Sequence, residues 1–184
     1  FVYLKKFLPL IRNKVADLGC GNDSTLELLS RVGFKNIIGV DQLTNINNSK
    51  NKKITFVNSE IINYLKNCKE ESFDMITIFD VVEHISLNSI EILLKNIYRV
   101  LKPNGSVVIQ SPNGSSPLFG SIFYGDPTHI FCFNEYSLGN LLISSGFKKQ
   151  KINFIECSPV IRSFFSFFRY LFWFFLRSLY KFFY

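Results

Sequence analysis

The chain has 184 residues, enough for one domain with a full core and too short for two of ordinary size. Its net charge of +7 is concentrated at the C-terminal end, where Lys148, Lys149, Lys151, Arg162, Arg169, Arg177 and Lys181 face a single acid, Glu156. The rest of the chain is close to neutral, so the basic character belongs to the tail and not to the body. The four cysteines, Cys20, Cys68, Cys132 and Cys157, are too scattered for a zinc knuckle or a disulfide framework, and a reducing, cytoplasmic setting suits them.

Tyr3 to Ile11 reads as the end of an amphipathic helix, close to the start of the chain at Phe1, and we expect the N-terminus to be truncated. From Lys14 to Asp41 the pattern is strand, glycine turn, helix, strand: Val15, Ala16 and Leu18, then Gly19 and Gly21, then Leu26, Leu28, Leu29 and Val32, then Ile37, Ile38 and Val40. Glycines after the first strand let the backbone approach a ligand, and the helix that follows offers unpaired N–H groups. Asp41, at the tip of the second strand and 22 residues past Gly19, sits where a carboxylate accepts hydrogen bonds from a ribose diol. Asp23 puts a negative charge where a dinucleotide would bring its pyrophosphate, so the ligand expected is a nucleoside without phosphate. An ordinary βαβ turn with no ligand is the plainer alternative.

The run Asp17-Leu18-Gly19-Cys20-Gly21 with its following acid resembles the cofactor loop of class I S-adenosylmethionine (SAM) dependent methyltransferases, with Asp23 in place of a usual third glycine. The resemblance implies an α/β fold, a Rossmann-like, doubly wound and mostly parallel sheet, and SAM as cofactor. It implies a cofactor set of Asp17, Gly19, Cys20 and Gly21 in the turn, with Asp41 and Gln42 at the ribose. Ile54 to Val57 is a third strand, and the resemblance brings Glu60 near the adenine; a solvated acid opening the next helix is the other reading.

Met75 to Ile85 reads as a buried parallel strand running into a helix start. The resemblance sets Phe79 and Asp80 at the methionine end of the cofactor. Asp80, Glu83 and His84, spaced i, i+3 and i+4, are expected on one helical face. Such a face could bind a divalent cation through oxygen and imidazole, and it resembles the acid, acid, histidine set of ubiquinone-pathway O-methyltransferases, which implies a metal; the same residues also brace the fold in members with no metal role, and no metal is assigned. Ile90 to Leu101 is a helix ended by Lys102-Pro103-Asn104-Gly105, and strand five is expected over Ser106 to Gln110.

A loop rich in Ser, Pro and Gly follows, and within it Asp126-Pro127-Thr128-His129 resembles a motif of a methyltransferase subgroup met in surface-glycan and lipid-linked glycan pathways. His129 is the candidate general base, because an acceptor hydroxyl must lose its proton as it attacks the sulfonium methyl. Asp126 either orients it or starts the turn before Pro127. A structural histidine bonded to the loop backbone is the alternative for His129. A helix from Asn134 to Gly146 and a sixth strand over Lys148 to Ile155 complete the expected body, residues 1–158, with the family's seventh strand missing.

Residues 159–184 form the expected second part, a helix with Arg162, Arg169, Trp173, Arg177, Tyr180 and Lys181 within an arc of about 120° and Phe and Leu elsewhere. That pattern fits a helix lying in a membrane interface, against packing on a partner or spanning. The expected acceptor is a sugar hydroxyl on a lipid-linked or surface glycan, with a prenylated quinone precursor as runner-up. A catalytically silent, docking module of the same fold is the third reading. No nucleic-acid partner is expected, and the localisation expected is cytoplasmic, peripheral on the inner membrane face.

Overall fold

The structure, a computed structural model, describes residues 7–21, 24–42, 51–116, 119–155 and 161–183. Its elements are β1 (Lys14–Leu18), α1 (Ser24–Arg31), β2 (Asn36–Asp41), β3 (Ile54–Asn58), α2 (Ile61–Lys66), β4 (Phe73–Phe79), α3 (Leu87–Val100), β5 (Leu101–Gln110), α4 (Phe119–Phe123), α5 (Glu135–Ser144) and α6 (Phe164–Phe183). Five strands form one parallel sheet in the order β3-β2-β1-β4-β5. The order reverses between β1 and β4, and a doubly wound sheet opens its ligand crevice outside the carboxyl ends of the strands at such a point.

The period of two along each strand sorts side chains to the two faces of the sheet. Val15, Ile37 and Met75 pack with Leu26 and Leu29 of α1 and with Phe34. Ala16, Leu18, Val40, Ile76 and Ile78 pack with Leu65 of α2, with Ile90, Leu93, Leu94 and Ile97 of α3, and with Leu138 and Leu142 of α5. Because β4 is covered on both faces, its residues from Phe73 to Ile78 are all buried, including the polar Asp74 and Thr77. Asp74 is satisfied by the N–H groups of Lys14 and Asn13, 2.7 and 3.2 Å away, and by the Lys102 ammonium at 2.9 Å.

Two expectations change. Strand five begins at Leu101 rather than Ser106, because Leu101 already pairs with Phe73 and the Pro103-Asn104-Gly105 stretch is accommodated as an irregularity in the ladder, with Asn104 at φ 66°. No strand forms over Lys148 to Ile155. Lys149–Lys151 is a 3-10 turn, and its three consecutive polar residues leave no alternating face for a sheet to bury. The chain divides into two compact units, residues 1–152 and 153–184. In the second, α6 is a continuous helix of 20 residues. Among the described residues, no helix is long and apolar enough to cross a membrane. Part of the Tyr3–Ile11 piece, and Asp23, lie outside the described residues.

Candidate active site

A cleft of about 470 Å3 lies at the carboxyl ends of β1 and β2, bordered by Gly19, Asp41, Gln42, Glu60, Ile61 and Ile62 on one side and by Val81, His84, Ile85, Ser86 and Ser89 on the other. The turn after β1 is built for close approach. Gly19 has φ +73°, and a Cβ on it would stand 2.3 Å from Cγ2 of Val81. Its N–H and that of Cys20 both donate to the Val40 carbonyl, tying the turn to β2. Beyond it, the space over Gly21 is open, and the Gly21 N–H donates to Oδ2 of Asp41 at 2.8 Å. The acid at the tip of β2 is thus fixed against the glycine turn at the edge of the cleft.

Behind the turn, Asp17 is buried and receives the Thr77 hydroxyl at 2.5 Å. Burial lifts its carboxyl to about 7, the Thr77 bond working against the shift and the Asp41 charge adding to it. Cys20 is likewise buried, with its thiol pushed up to about 12 by burial and then by Asp17 and Asp41, so it is a packing group rather than a nucleophile. Neither Asp17 nor Cys20 borders the cleft.

Glu60 borders the cleft but spends its carboxylate on α2, accepting from the N–H groups of Ile62 at 2.9 Å and Asn63 at 2.7 Å as the helix N-cap. This is the plainer of its two expected roles. Phe79 and Asp80 end β4 outside the cleft lining. Asp80 has φ 55°, a conformation rare outside glycine, and its carboxylate receives Gln110 Nε2 at 3.2 and 3.3 Å.

The single helical face expected for Asp80, Glu83 and His84 does not form. Val82–His84 is one 3-10 turn and Asp80 stands before it, held to β5 by Gln110. Glu83 and His84 instead meet His129. One ligand atom from each of these three lies within 4.8 Å of the others, and the two imidazole rings are 4.7 Å apart. The loop is brought there by the Glu83 carbonyl, which accepts from the N–H groups of Ile130 and Phe131. Glu83 is 1% exposed, and burial, with the Asp80 charge added, raises its carboxyl above the ordinary value despite its own N–H and the two histidines.

Asp126 does not reach His129 with its carboxylate. It accepts from the backbone N–H of Thr128 at 2.9 Å and from the Thr128 hydroxyl at 2.6 Å, closing the turn around Pro127. His129 is held by a hydrogen bond from Nδ1 to the Phe123 carbonyl at 2.8 Å and by the ring of Phe123, stacked at 5.5 Å.

Several residues of the site were missed in the sequence. Ile61, Ile62, Ser86 and Ser89 carry no motif, being ordinary helix-start residues. Gly39, inside β2, leaves room for Leu26 and the Cys20 thiol, which would stand 2.7 and 2.8 Å from an added Cβ. A glycine in the middle of an apolar strand was the available signal.

Residues 4–152 match the family described as Methyltransferase domain. A mitochondrial ubiquinone biosynthesis O-methyltransferase of Rattus norvegicus is 32% identical over 126 residues, covering 62% of this chain and 36% of that protein. The corresponding Dictyostelium discoideum enzyme is 28% identical over 121 residues, covering 58% of this chain and 37% of its own length. The chain therefore spans about a third of the length of these curated relatives. Among solved structures, a SAM-dependent methyltransferase from Archaeoglobus fulgidus superposes with a TM-score of 0.70 at 29% identity, over 87% of this chain and 77% of that one. A Haemonchus contortus phosphoethanolamine N-methyltransferase solved with SAM shares the fold at a TM-score of 0.62 and 24% identity, over 79% of this chain and 36% of that one. With a 3-2-1-4-5 parallel sheet, a glycine turn facing a cleft and an acid at the tip of β2, the chain belongs to the methyltransferase-domain family and has the Rossmann-like fold of its SAM-dependent members.

Proposed function

We propose that this chain transfers the methyl group of SAM to a hydroxyl oxygen of a lipid-borne acceptor, with a phenol on a prenylated aromatic ring as the first reading. The observation that carries the transfer is the cleft itself, in which Gly19 and Asp41 border one end and His84, next to His129, borders the other. SAM fits these residues. Its ribose diol would lie on Asp41, and its adenine on the apolar Ile61 and Ile62, with Glu60 committed to the helix cap. Gly19 borders the cleft with Val81 packed into the room that its missing Cβ leaves, and the space over Gly21 is open.

SAM held there would supply a sulfonium methyl to the acceptor oxygen, with S-adenosylhomocysteine as the leaving group. The hydroxyl proton passes to the imidazole of His129, whose Nδ1 is occupied by the Phe123 carbonyl, so that Nε2 is the basic atom. Holding the two reactants in line is the protein's main contribution to the rate. A phenol, with a pKa of about 10, gives up its proton to imidazole more readily than an alcohol does. The names of the ubiquinone biosynthesis O-methyltransferases support the same choice. A sugar hydroxyl on a lipid-linked glycan is the second reading, favoured by the Asp126-Pro127-Thr128-His129 loop. The test is incubation with methyl-labelled SAM and, separately, a prenylated catechol and a polyprenyl-linked sugar. Label in the aromatic lipid supports the first reading, label in the sugar moves the assignment to the second, and label in neither refutes both.

For the partner surface, the reading is that α6 lies in the interface of an anionic bilayer. Phe164, Phe165, Phe168, Phe172 and Phe175 are exposed, the helix carries Arg169, Arg177 and Lys181 with no acid, and the Arg177 guanidinium lies 5.2 Å from the Trp173 ring. Arginine with tryptophan suits the head-group boundary, and phenylalanine the acyl region beneath it. Flotation with phosphatidylserine vesicles is expected for the full chain and not for the chain lacking residues 159–184; equal flotation counts against the membrane reading.

A further inference from the structure

We propose that Thr128, backed by Asp126, is a positioning residue that holds His84 as its Nδ1–H tautomer and so leaves a bare Nε2 lone pair for the cleft. The consequence for the acceptor, which rests on the methyl-transfer reading above, is recognition through a hydroxyl that donates to that nitrogen.

His84 borders the cleft and Thr128 does not. The loop is set against the turn after β4 by its main chain, the N–H groups of Ile130 and Phe131 donating to the Glu83 carbonyl at 2.7 and 3.2 Å. Thr128 therefore stands beside the imidazole without depending on its own hydroxyl to get there. Its Oγ1 has two neighbours, Oδ1 of Asp126 at 2.6 Å and Nδ1 of His84 at 2.9 Å, and a single proton to offer them. The bonds from Thr128 hold the Asp126 carboxyl below its ordinary value, so the carboxylate only accepts and the threonine proton goes to it. Toward His84 the hydroxyl oxygen is then an acceptor, and the Thr128 carbonyl at 3.3 Å is another. Nδ1 must carry the ring proton, which leaves the lone pair of the neutral ring on Nε2.

His129 takes the same form, its Nδ1–H donating to the Phe123 carbonyl at 2.8 Å, and the two ring centroids are 4.7 Å apart. The neighbouring imidazoles thus offer two Nε2 lone pairs and no Nε2–H. A hydroxyl finds an acceptor for its proton here, while an ether, carbonyl or carboxylate oxygen finds no donor on either ring. As the methyl reaches the acceptor oxygen, the O–H bond breaks and an N–H bond forms at Nε2. Once the ring returns that proton to solvent, the methylated product lacks the donor by which the acceptor was held. The site discriminates against its own product, and the discrimination depends on a threonine 44 positions from His84.

The chain has two histidines, so 1H–15N spectra of the imidazole-labelled full chain contain two rings. They are recorded with neither SAM nor acceptor, in the pH range where the same spectra show both rings neutral, so the tautomer is read independently of methyl transfer. Both rings are expected as Nδ1–H, the opposite of the form that free histidine favours, and His129→Gln assigns the His84 signals. Thr128→Val is expected to raise the Nε2–H population of His84 severalfold, Thr128→Ser to keep the parent form, and Asp126→Asn, whose neutral amide competes less for the threonine proton, to give a smaller rise. A turn with only a structural role would lower the melting temperature of Thr128→Val and leave the tautomer alone. An Nε2–H form of His84 in the folded parent, or unchanged populations in folded Thr128→Val, overturns the proposal. For the acceptor, the prenylated catechol with S-adenosylhomocysteine present is expected to shift the His84 Nε2 resonance and to bind about tenfold more tightly than its dimethyl ether. Equal affinities, or no shift with either compound, refute the recognition of the acceptor and leave the tautomer standing.

Discussion

The sheet and helix α6 are both rich in apolar residues, and they use them in opposite ways. In the sheet the apolar residues are mostly Val, Ile and Leu, and those of β1 and β4 are almost wholly buried. In α6 they are mostly Phe, and Phe165 is 85% exposed. Burying one large apolar side chain is worth about 1.5–3 kcal/mol, so the sheet gains its stability from its own chain, while α6 holds the same kind of free energy unrealised until something covers it. Apolar character is shared; what differs is that the strands bury it and α6 leaves much of it exposed.

Truncations on the two sides give the largest contrast. Leu94→Ala in α3, at a fully buried position, is expected to cost about 2–5 kcal/mol in urea unfolding at pH 7. A cost near zero would mean that the core packs elsewhere than between α3 and the sheet.

Next in size comes the polar anchor of the sheet. Asp74→Asn is expected to cost about 1–3 kcal/mol at pH 7, since it leaves Lys102 without its partner and weakens acceptance from Lys14 and Asn13. Burial alone would raise the Asp74 carboxyl, but the Lys102 bond and the two backbone N–H groups outweigh it and hold the group below its ordinary value. A depressed carboxyl contributes stability above the unfolded value of about 3.8 and loses it as pH falls through the folded value. The gap between parent and variant should therefore narrow in unfolding curves taken below pH 4. A gap that widens there would reverse the assignment.

The site belongs to the sheet side of the comparison. Asp41→Ala is expected to weaken SAM binding at least about tenfold, or 1.4 kcal/mol, in calorimetry. Removing residues 159–184 should leave that affinity unchanged. Unchanged affinity in Asp41→Ala would remove the ribose assignment.

How far the sequence disclosed this arrangement depended on the range of the forces involved. β1, β2 and β4 were legible because burial on both faces writes continuous apolar runs, and Asp41 because a strand tip after a glycine turn is a local pattern. Position 60 supported two readings, and the cap is the one its hydrogen bonds show, the backbone donors being two and three residues away. The meeting of Glu83 with His129 was not legible. It depends on backbone hydrogen bonds across 47 and 48 residues, from Ile130 and Phe131 to the Glu83 carbonyl, which no spacing rule encodes. Nor was the loss of the sixth strand, where the apolar residues Ile152, Phe154 and Ile155 suggested an edge that the Lys149-Gln150-Lys151 turn interrupts.

The smallest expected effect on folding lies in α6. Phe172→Ala removes as much apolar surface as a core truncation, yet Phe172 is exposed, and an exposed substitution shifts stability by no more than about 0.5 kcal/mol. The unfolding midpoint of the body should stay where it is, while partition onto anionic vesicles falls, because the lost ring is one that would enter the acyl boundary. The two readouts must separate for the contrast between sheet and α6 to hold. If Phe172→Ala instead lowers the midpoint as far as Leu94→Ala does and leaves vesicle binding intact, α6 is a core helix, its phenylalanines are covered by protein, and the arginines along its edge face water rather than lipid head groups.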